Sequence, residues 1–321
     1  MTEQHATQTM AGYPFLDIVD FVERTTYAIW NDRNPGLVPT WYPKHSIIWT
    51  DSGDLLGEEV VTADTAERRK GFSDYYGVID DVIWTGDDER GYRTSMRWVA
   101  HGTHDGASRL GEPTGRRVAN SSISHCVVLG DQYVEEWAGG NPKTFREQLG
   151  HPVDEFVRTN RPTAAPTGEA SRERTRSLGA TVPAIPEVVD GAGLVVTDLL
   201  DRLYNRRDLT AADRGYAPGA PYSFGTSRIG FGPAGVRAEV ERWHRLLPDL
   251  HLEVEELYWN NDTPDRARVA VRYQITGTAT NDTGEQRPVS LMGFHHVHVR
   301  GTLVVAEWAE YNEIALLSQV G

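Results

Sequence analysis

The chain has 321 residues, 39% apolar and 24% charged, a composition that supports packed domains and excludes a disordered chain. With 32 Lys and Arg against 46 Asp and Glu, its formal charge of −14 repels phosphate backbones and anionic lipid, so neither nucleic acid nor a membrane is expected as partner. A single cysteine, Cys126, allows no disulfide within the chain; no secretory pattern opens the sequence and no apolar run nears the roughly 20 residues of a membrane span, so the expectation is a cytoplasmic protein.

Residues 16–30, LDIVDFVERTTYAIW, bring Ile18, Val19, Val22, Thr26 and Ile29 near one face of a helix. A shorter helix is expected around 58–71, followed by alternating strands joined by loops rich in Gly, Asp and Asn. Asn141-Pro142 reads as the cap and first turn of a closing helix that stops at Gly150. Residues 151–186 hold five prolines and little apolar periodicity, which predicts an unstructured linker. The same order then returns: a helix at 193–205, a shorter one at 233–247, strands such as ARVAVRYQI, and a last helix after Asn312-Glu313. Helices followed by a meandering antiparallel sheet predict an α+β unit, the curved sheet wrapping the helices around a cavity.

The two halves are copies. Aligning residues 130–150 with 301–321 pairs Glu136 with Glu307, Trp137 with Trp308 and Asn141 with Asn312. Upstream, VIDDVIW faces EVEELYW, and MRWVAHGT (96–103) faces VRYQITGT (271–278), pairing Arg97 with Arg272. The predicted organisation is a first domain at 12–150, a linker at 151–186 and a second domain at 187–321. Two copies in one chain are expected to pair sheet against sheet as an internal pseudo-dimer, with a further homodimer as an extension.

The motifs RW-x3-GTHDG (97–106), GEPTGRRV (111–118) and EEW (135–137), with YAP (216–218), GPAGVRAEV (232–240), LPDL (247–250) and AEW (306–308), resemble the SnoaL-like polyketide cyclase family of the NTF2-like, ketosteroid-isomerase-like superfamily. The resemblance implies two tandem cone-shaped domains, no metal and no organic cofactor, and a small, largely apolar oxygenated substrate. It also implies side-chain acid/base chemistry of isomerase, cyclase, dehydratase, lyase or hydrolase type. Asn141 and Asn312 depart from the family, which commonly places an acid/base aspartate there; an amide caps a helix but carries no proton at neutral pH.

The strands ANSSISHCVVL (119–129) and SLMGFHHVHVR (290–300) repeat a histidine in the same place, His125 and His296, on one strand face. Neutral imidazole accepts and returns a proton near pH 7, so His296, helped by His298, is the expected acid/base, with His125 its counterpart. His295 points the other way. Substrate contacts are expected from His104, Trp49, Tyr75, Arg97, Tyr222, Tyr258, Arg272, Asn141 and Asn312. Two other readings stay open: a non-catalytic binding or scaffold protein, and a metal-dependent enzyme using the His296/His298 pair. Glu136 and Glu307 read as carboxylates that orient a histidine or as solvent-facing strand residues.

Overall fold

The computed structural model describes residues 10–51 and 53–321. Helix α1 (Ile18–Trp30) starts at Asp17, whose carboxylate accepts the Asp20 N–H, and buries Ile18, Phe21, Val22, Thr25, Thr26 and Ile29. That is the stripe expected from the sequence, widened by Phe21 and Thr25, with Val19 at its edge. After α2 (Val38–Trp41), the short strands β1 (Ile47–Trp49) and β2 (Leu55–Leu56) and helix α3 (Gly57–Lys70) come four longer strands: β3 (Tyr76–Asp87), β4 (Gly91–Thr103), β5 (Arg117–Leu129) and β6 (Gln132–Gly140). Helix α4 (Pro142–Leu149) closes the half; Asn141 caps it by accepting the Lys143 N–H, and Gly150 ends it at φ 77°, a left-handed conformation suited to glycine.

Between the halves lie α5 (Asp154–Thr159) and α6 (Gly168–Ser177). The second half follows with α7 (Gly191–Leu200), a π turn (Asp201–Asn205), α8 (Thr210–Gly215), strands β7 (Pro221–Phe224) and β8 (Arg228–Phe231), and α9 (Pro233–Leu246). It ends in β9 (His251–Thr263), β10 (Arg266–Thr280), β11 (Gln286–Arg300), β12 (Leu303–Tyr311) and α10 (Glu313–Val320).

Each half forms one six-stranded sheet, in the orders β2-β1-β6-β5-β4-β3 and β8-β7-β12-β11-β10-β9. The long strands meander antiparallel as expected, but β1 runs parallel to β6 and β7 parallel to β12, so the sheets are mixed. Strands of three or four residues show no alternation long enough to detect in a sequence. No helix among the described residues is long and apolar enough to cross a membrane.

The two sheets repeat in register. Ser95 faces His125 and Ala270 faces His296; Trp137 faces His125 and Trp308 faces His296. Bulges recur at equivalent residues: Asp80 and Glu255 are the extra residues of β3 and β9, Val134 and Val305 those of β6 and β12. Bulges re-aim side chains, so their repetition carries the architecture of the interior with it. Asn31 and Asn205 tie the first helix of each half to the sheet in the same way, each amide bonding both the N–H and the C=O of one backbone residue, Gly77 or Leu252.

The linker differs from the expectation. Helix α6 is held near both of its own ends: Arg174 Nε and Thr175 Oγ1 donate to Glu135, and the Gly168 N–H donates to Glu255. Its polar residues read as disorder in the sequence because the buried carboxylates that satisfy them are distant in the chain.

The sheets pack on each other through the faces that carry the paired histidines. Ile123, Val127 and Trp137 of the first meet Met292 and Phe294 of the second. A Cβ at Gly139 would lie 2.3 Å from the Phe294 ring, so this contact needs glycine. The opposite strand faces, including Cys126 and Val128 in one half and Val297 and Val299 in the other, turn inward toward the helices.

Candidate functional site

The expected catalytic histidines lie between the sheets, outside both cones. His125 and His296 are fully buried. His296 Nε2 is 2.6 Å from Ser95 Oγ, and its Nδ1 is 3.7 Å from Asp81. His298 Nε2 is 2.9 Å from the same Asp81, which also takes the Arg268 guanidinium. By the internal symmetry, His125 Nδ1 is 3.4 Å from Glu256, which takes Arg93 and Arg272. Burial pushes the His296 imidazolium down to about 4 and lowers His125 as well. Burial alone would raise both acids, yet the partners win: His296, His298 and Arg268 hold Asp81, and Arg93, His125 and Arg272 hold Glu256, well below the usual carboxylate range. For His125 and His296 the expectation of a cavity-facing imidazole is therefore corrected: burial keeps both neutral, and they lie between the two sheets. The metal reading of His296/His298 fares no better, because both rings converge on a carboxylate that already holds a cation, Arg268.

Other predicted contacts belong to the same seam. Arg97 stacks on Trp308, 3.4 Å from its ring centre, and pairs with Asp80; Arg272 stacks on Trp137 at 4.3 Å. Tyr258 packs against His125. Asn141 and Asn312 cap their helices, and Asn141 also donates across to Glu313 and Gly225. Trp49 donates to Glu135 beside α6, and Tyr222 stacks on Phe224. His104 is buried in its loop, accepting the Thr114 N–H at 3.3 Å and packing on Phe72. Tyr75 packs on Trp30 at 5.8 Å, one ring removed from the cavity described next.

The first cone is hollow. A cavity of about 60 Å³ lies between α1 and the inner face of the sheet, with Trp30 and Ile29 from the helix, Tyr42 from the loop after α2, Met96 and Ser124 from the central strands, and Tyr133 and Glu136 from β6. The bulge at Val134 brings Tyr133 and Glu136, three apart in sequence, to the same side. Tyr42 Oη donates to Glu136 Oε2 at 2.9 Å, and Tyr133 Oη lies 2.9 Å from Thr25 Oγ1. Burial pushes the Glu136 carboxyl up to about 7, with the Tyr42 hydrogen bond opposing only in part. Among the described residues, no Lys, Arg or His lines the cavity. Burial also raises Tyr42, Tyr133 and the Cys126 thiol far above their ordinary values, so all three stay protonated. A carboxyl that titrates near neutrality, beside neutral hydroxyl donors and facing open space, is equipped to accept and return a proton.

The second cone keeps two of these groups and fills the rest. Tyr216 Oη donates to Glu307 Oε2 at 2.6 Å, the counterpart of Tyr42 on Glu136. Thr25, Thr26, Cys126 and Tyr133 are replaced by Leu199, Leu200, Val297 and Val304, all buried in one continuous apolar core. Ser124 becomes His295, whose ring is buried against Tyr273 with Nδ1 2.7 Å from Glu307 Oε1. Sequence reading set aside Glu136 and His295. The available signal was the apolar run Cys126, Val128, Val297 and Val299: an apolar strand face goes toward the amphipathic helix, which sends the histidines to the other side.

Residues 194–320 match the model of the SnoaL-like polyketide cyclase family, the family that the sequence resembles. No curated protein sequence matches the chain. Among solved structures, TsrD from Streptomyces laurentii is 21% identical, covering 41% of this chain and 98% of its own at a TM-score of 0.34. A candidate polyketide cyclase from Acidithiobacillus ferrooxidans is 18% identical, covering 42% and 97% at 0.35. A protein with a ketosteroid isomerase-like fold from Catenulispora acidiphila, solved with trimethylamine, is 15% identical, covering 42% and 95% at 0.35.

Proposed function

We propose that the first cone is a cofactor-independent acid/base site acting on a small, largely apolar oxygenated molecule, with Glu136 as the proton carrier. The observation that carries this reading is a cavity-facing carboxyl that burial raises to about 7 against the opposing Tyr42 hydrogen bond and the Arg68 charge, with no cation among the residues described as lining the cavity. Near neutral pH such a group is split between its two forms, so it serves as base and then as acid without a cofactor. The Glu136 carboxylate takes a proton from the carbon next to a substrate carbonyl, leaving an enolate and a neutral carboxylic acid. The acid then returns that proton to carbon or oxygen, completing an isomerisation, ring closure or elimination. Tyr42 orients the carboxylate; the Thr25 hydroxyl donates to the Phe21 carbonyl and so accepts from Tyr133, whose neutral hydroxyl is the donor that turns to the developing oxyanion. The cyclase-type family match of the second half supports an enzyme of this class.

The test is solvent exchange. Small cyclic ketones such as cyclohexanone are incubated with the protein in D₂O and α-deuteration is followed by NMR. The wild-type protein is expected to catalyse exchange and Glu136→Gln to lose about 10²-fold or more. Equal exchange by the two proteins would remove Glu136 from the chemistry.

A further inference from the structure

The second cone supplies a template for what the first one holds. Ser124 and His295 occupy the same place on the inner strand face, and each stands beside the Glu of a Tyr–Glu pair. In the second cone Tyr216 donates to Glu307 Oε2, and the His295 imidazole lies beside the other oxygen, with Nδ1 2.7 Å from Oε1 but not aligned as a hydrogen bond. In the first cone Tyr42 takes Glu136 Oε2, and serine replaces the histidine where the cavity lies. The cavity of about 60 Å³ has room for about four water molecules. In the second cone Tyr273 lies against the His295 ring; in the first, Trp30, Tyr42 and Tyr133 are the aromatic residues that line the cavity.

We propose that the first cone takes a flat, uncharged five- or six-membered ring bearing an N–H or O–H donor, seated on Glu136 as the His295 imidazole is seated on Glu307. This substrate class rests on the reading of the Glu136 cavity as a ligand site, though not on that carboxyl being catalytic. An anionic ring is disfavoured because no cationic side chain among the described residues lines the cavity to receive it. The ring donates to Glu136 Oε1 and lies where the second cone carries its own imidazole. The second cone is thus closed by a built-in occupant.

Pyrazole, a neutral ring with one N–H, is the probe, and binding is read by ligand-observed NMR and calorimetry on the full chain. The wild-type protein is expected to bind one equivalent. Ser124→His, which places a second imidazole in the first cone, is expected to weaken binding by about tenfold or more, the scale of one lost buried hydrogen bond. His295→Ser, which empties the second cone, is expected to raise the stoichiometry from one to two. No binding by wild type, or wild-type binding by a folded Ser124→His protein, overturns the proposal. If Ser124→His does not fold, the His295→Ser stoichiometry decides: two sites uphold it and one overturns it. Pyrazole binding without ketone exchange would sink the catalytic reading and leave this one standing.

Discussion

A base kept near neutrality by burial destabilises the fold that holds it, so Glu136→Gln is expected to stabilise the protein while it abolishes proton transfer. The carboxyl is raised from 4.5 to about 7. Because its folded value lies above its unfolded one, the stabilising state is the protonated one: stability is full below about pH 4.5 and is lost as pH rises through about 7. At about 1.4 kcal/mol per pH unit the ceiling is roughly 3 kcal/mol above neutrality, reduced to about 1.5–3 kcal/mol because water in the cavity screens the charge. Glutamine is isosteric, still accepts from Tyr42 through its carbonyl and never ionises, so it removes this cost. Calorimetric scans at pH 4.5 and pH 8 are expected to show nearly equal Tm values for the two proteins at the lower pH. At the higher pH Glu136→Gln should melt roughly 4–10 °C later. A variant that melts earlier at pH 8, or by the same margin at both pH values, would show that the carboxylate is satisfied by groups other than Tyr42 and would refute the argument.

Two predictions concern the seam. Glu256→Gln leaves Arg93 and Arg272 buried without their carboxylate, and urea unfolding at pH 7 is expected to show a loss of about 3–5 kcal/mol; a loss below about 1 kcal/mol would mean that the guanidiniums find other acceptors. Glu135→Ala removes the acceptor of Trp49, Arg174 and Thr175, and limited proteolysis is expected to cut within 160–180 at least several-fold faster than in wild type, with the two sheets intact.

Much of the fold was legible in the sequence because its signals are local or repeated. The α1 stripe, the capping Asn141 and Asn312, and the pairing of Trp137 with Trp308 each follow from periodicity or alignment, and the bulges and strand registers coincide as a duplicated chain requires. The site was legible only in part. Strand alternation correctly groups His125 with Ile123 and Val127, and His296 with His298, but alternation does not say which face is concave. Histidine near a neutral pKa drew attention to the face that the two sheets bury between them. Glu136 gave no such signal: its importance arises from burial, from Tyr42 some ninety residues earlier, and from the bulge at Val134. The parallel strands β1 and β7 and the bound helix α6 were hidden for the same reason, since their partners are remote in the chain.

The two halves share more of the seam than of the cone interiors, and the physics of each explains the contrast. In the seam the main charged groups are matched in equivalent sets: Asp81 with Arg268 and His298, Glu256 with Arg93 and His125, Arg97 on Trp308, Arg272 on Trp137. Removing Glu256 would strand Arg93 and Arg272, which are buried with it, so that group resists change one member at a time. A cone interior has no such lock. Exchanging Thr25, Thr26, Cys126 and Tyr133 for Leu199, Leu200, Val297 and Val304 turns a hollow polar interior into solid packing, a gain in stability that leaves the seam untouched. A hollow cone with a carboxyl only partly compensated by Tyr42 carries the opposite balance, less packing and a buried charge above neutral pH. In a tandem chain the solid copy supports the hollow one through the shared seam, so one cone is free to keep its cavity without the whole molecule falling below the stability it needs.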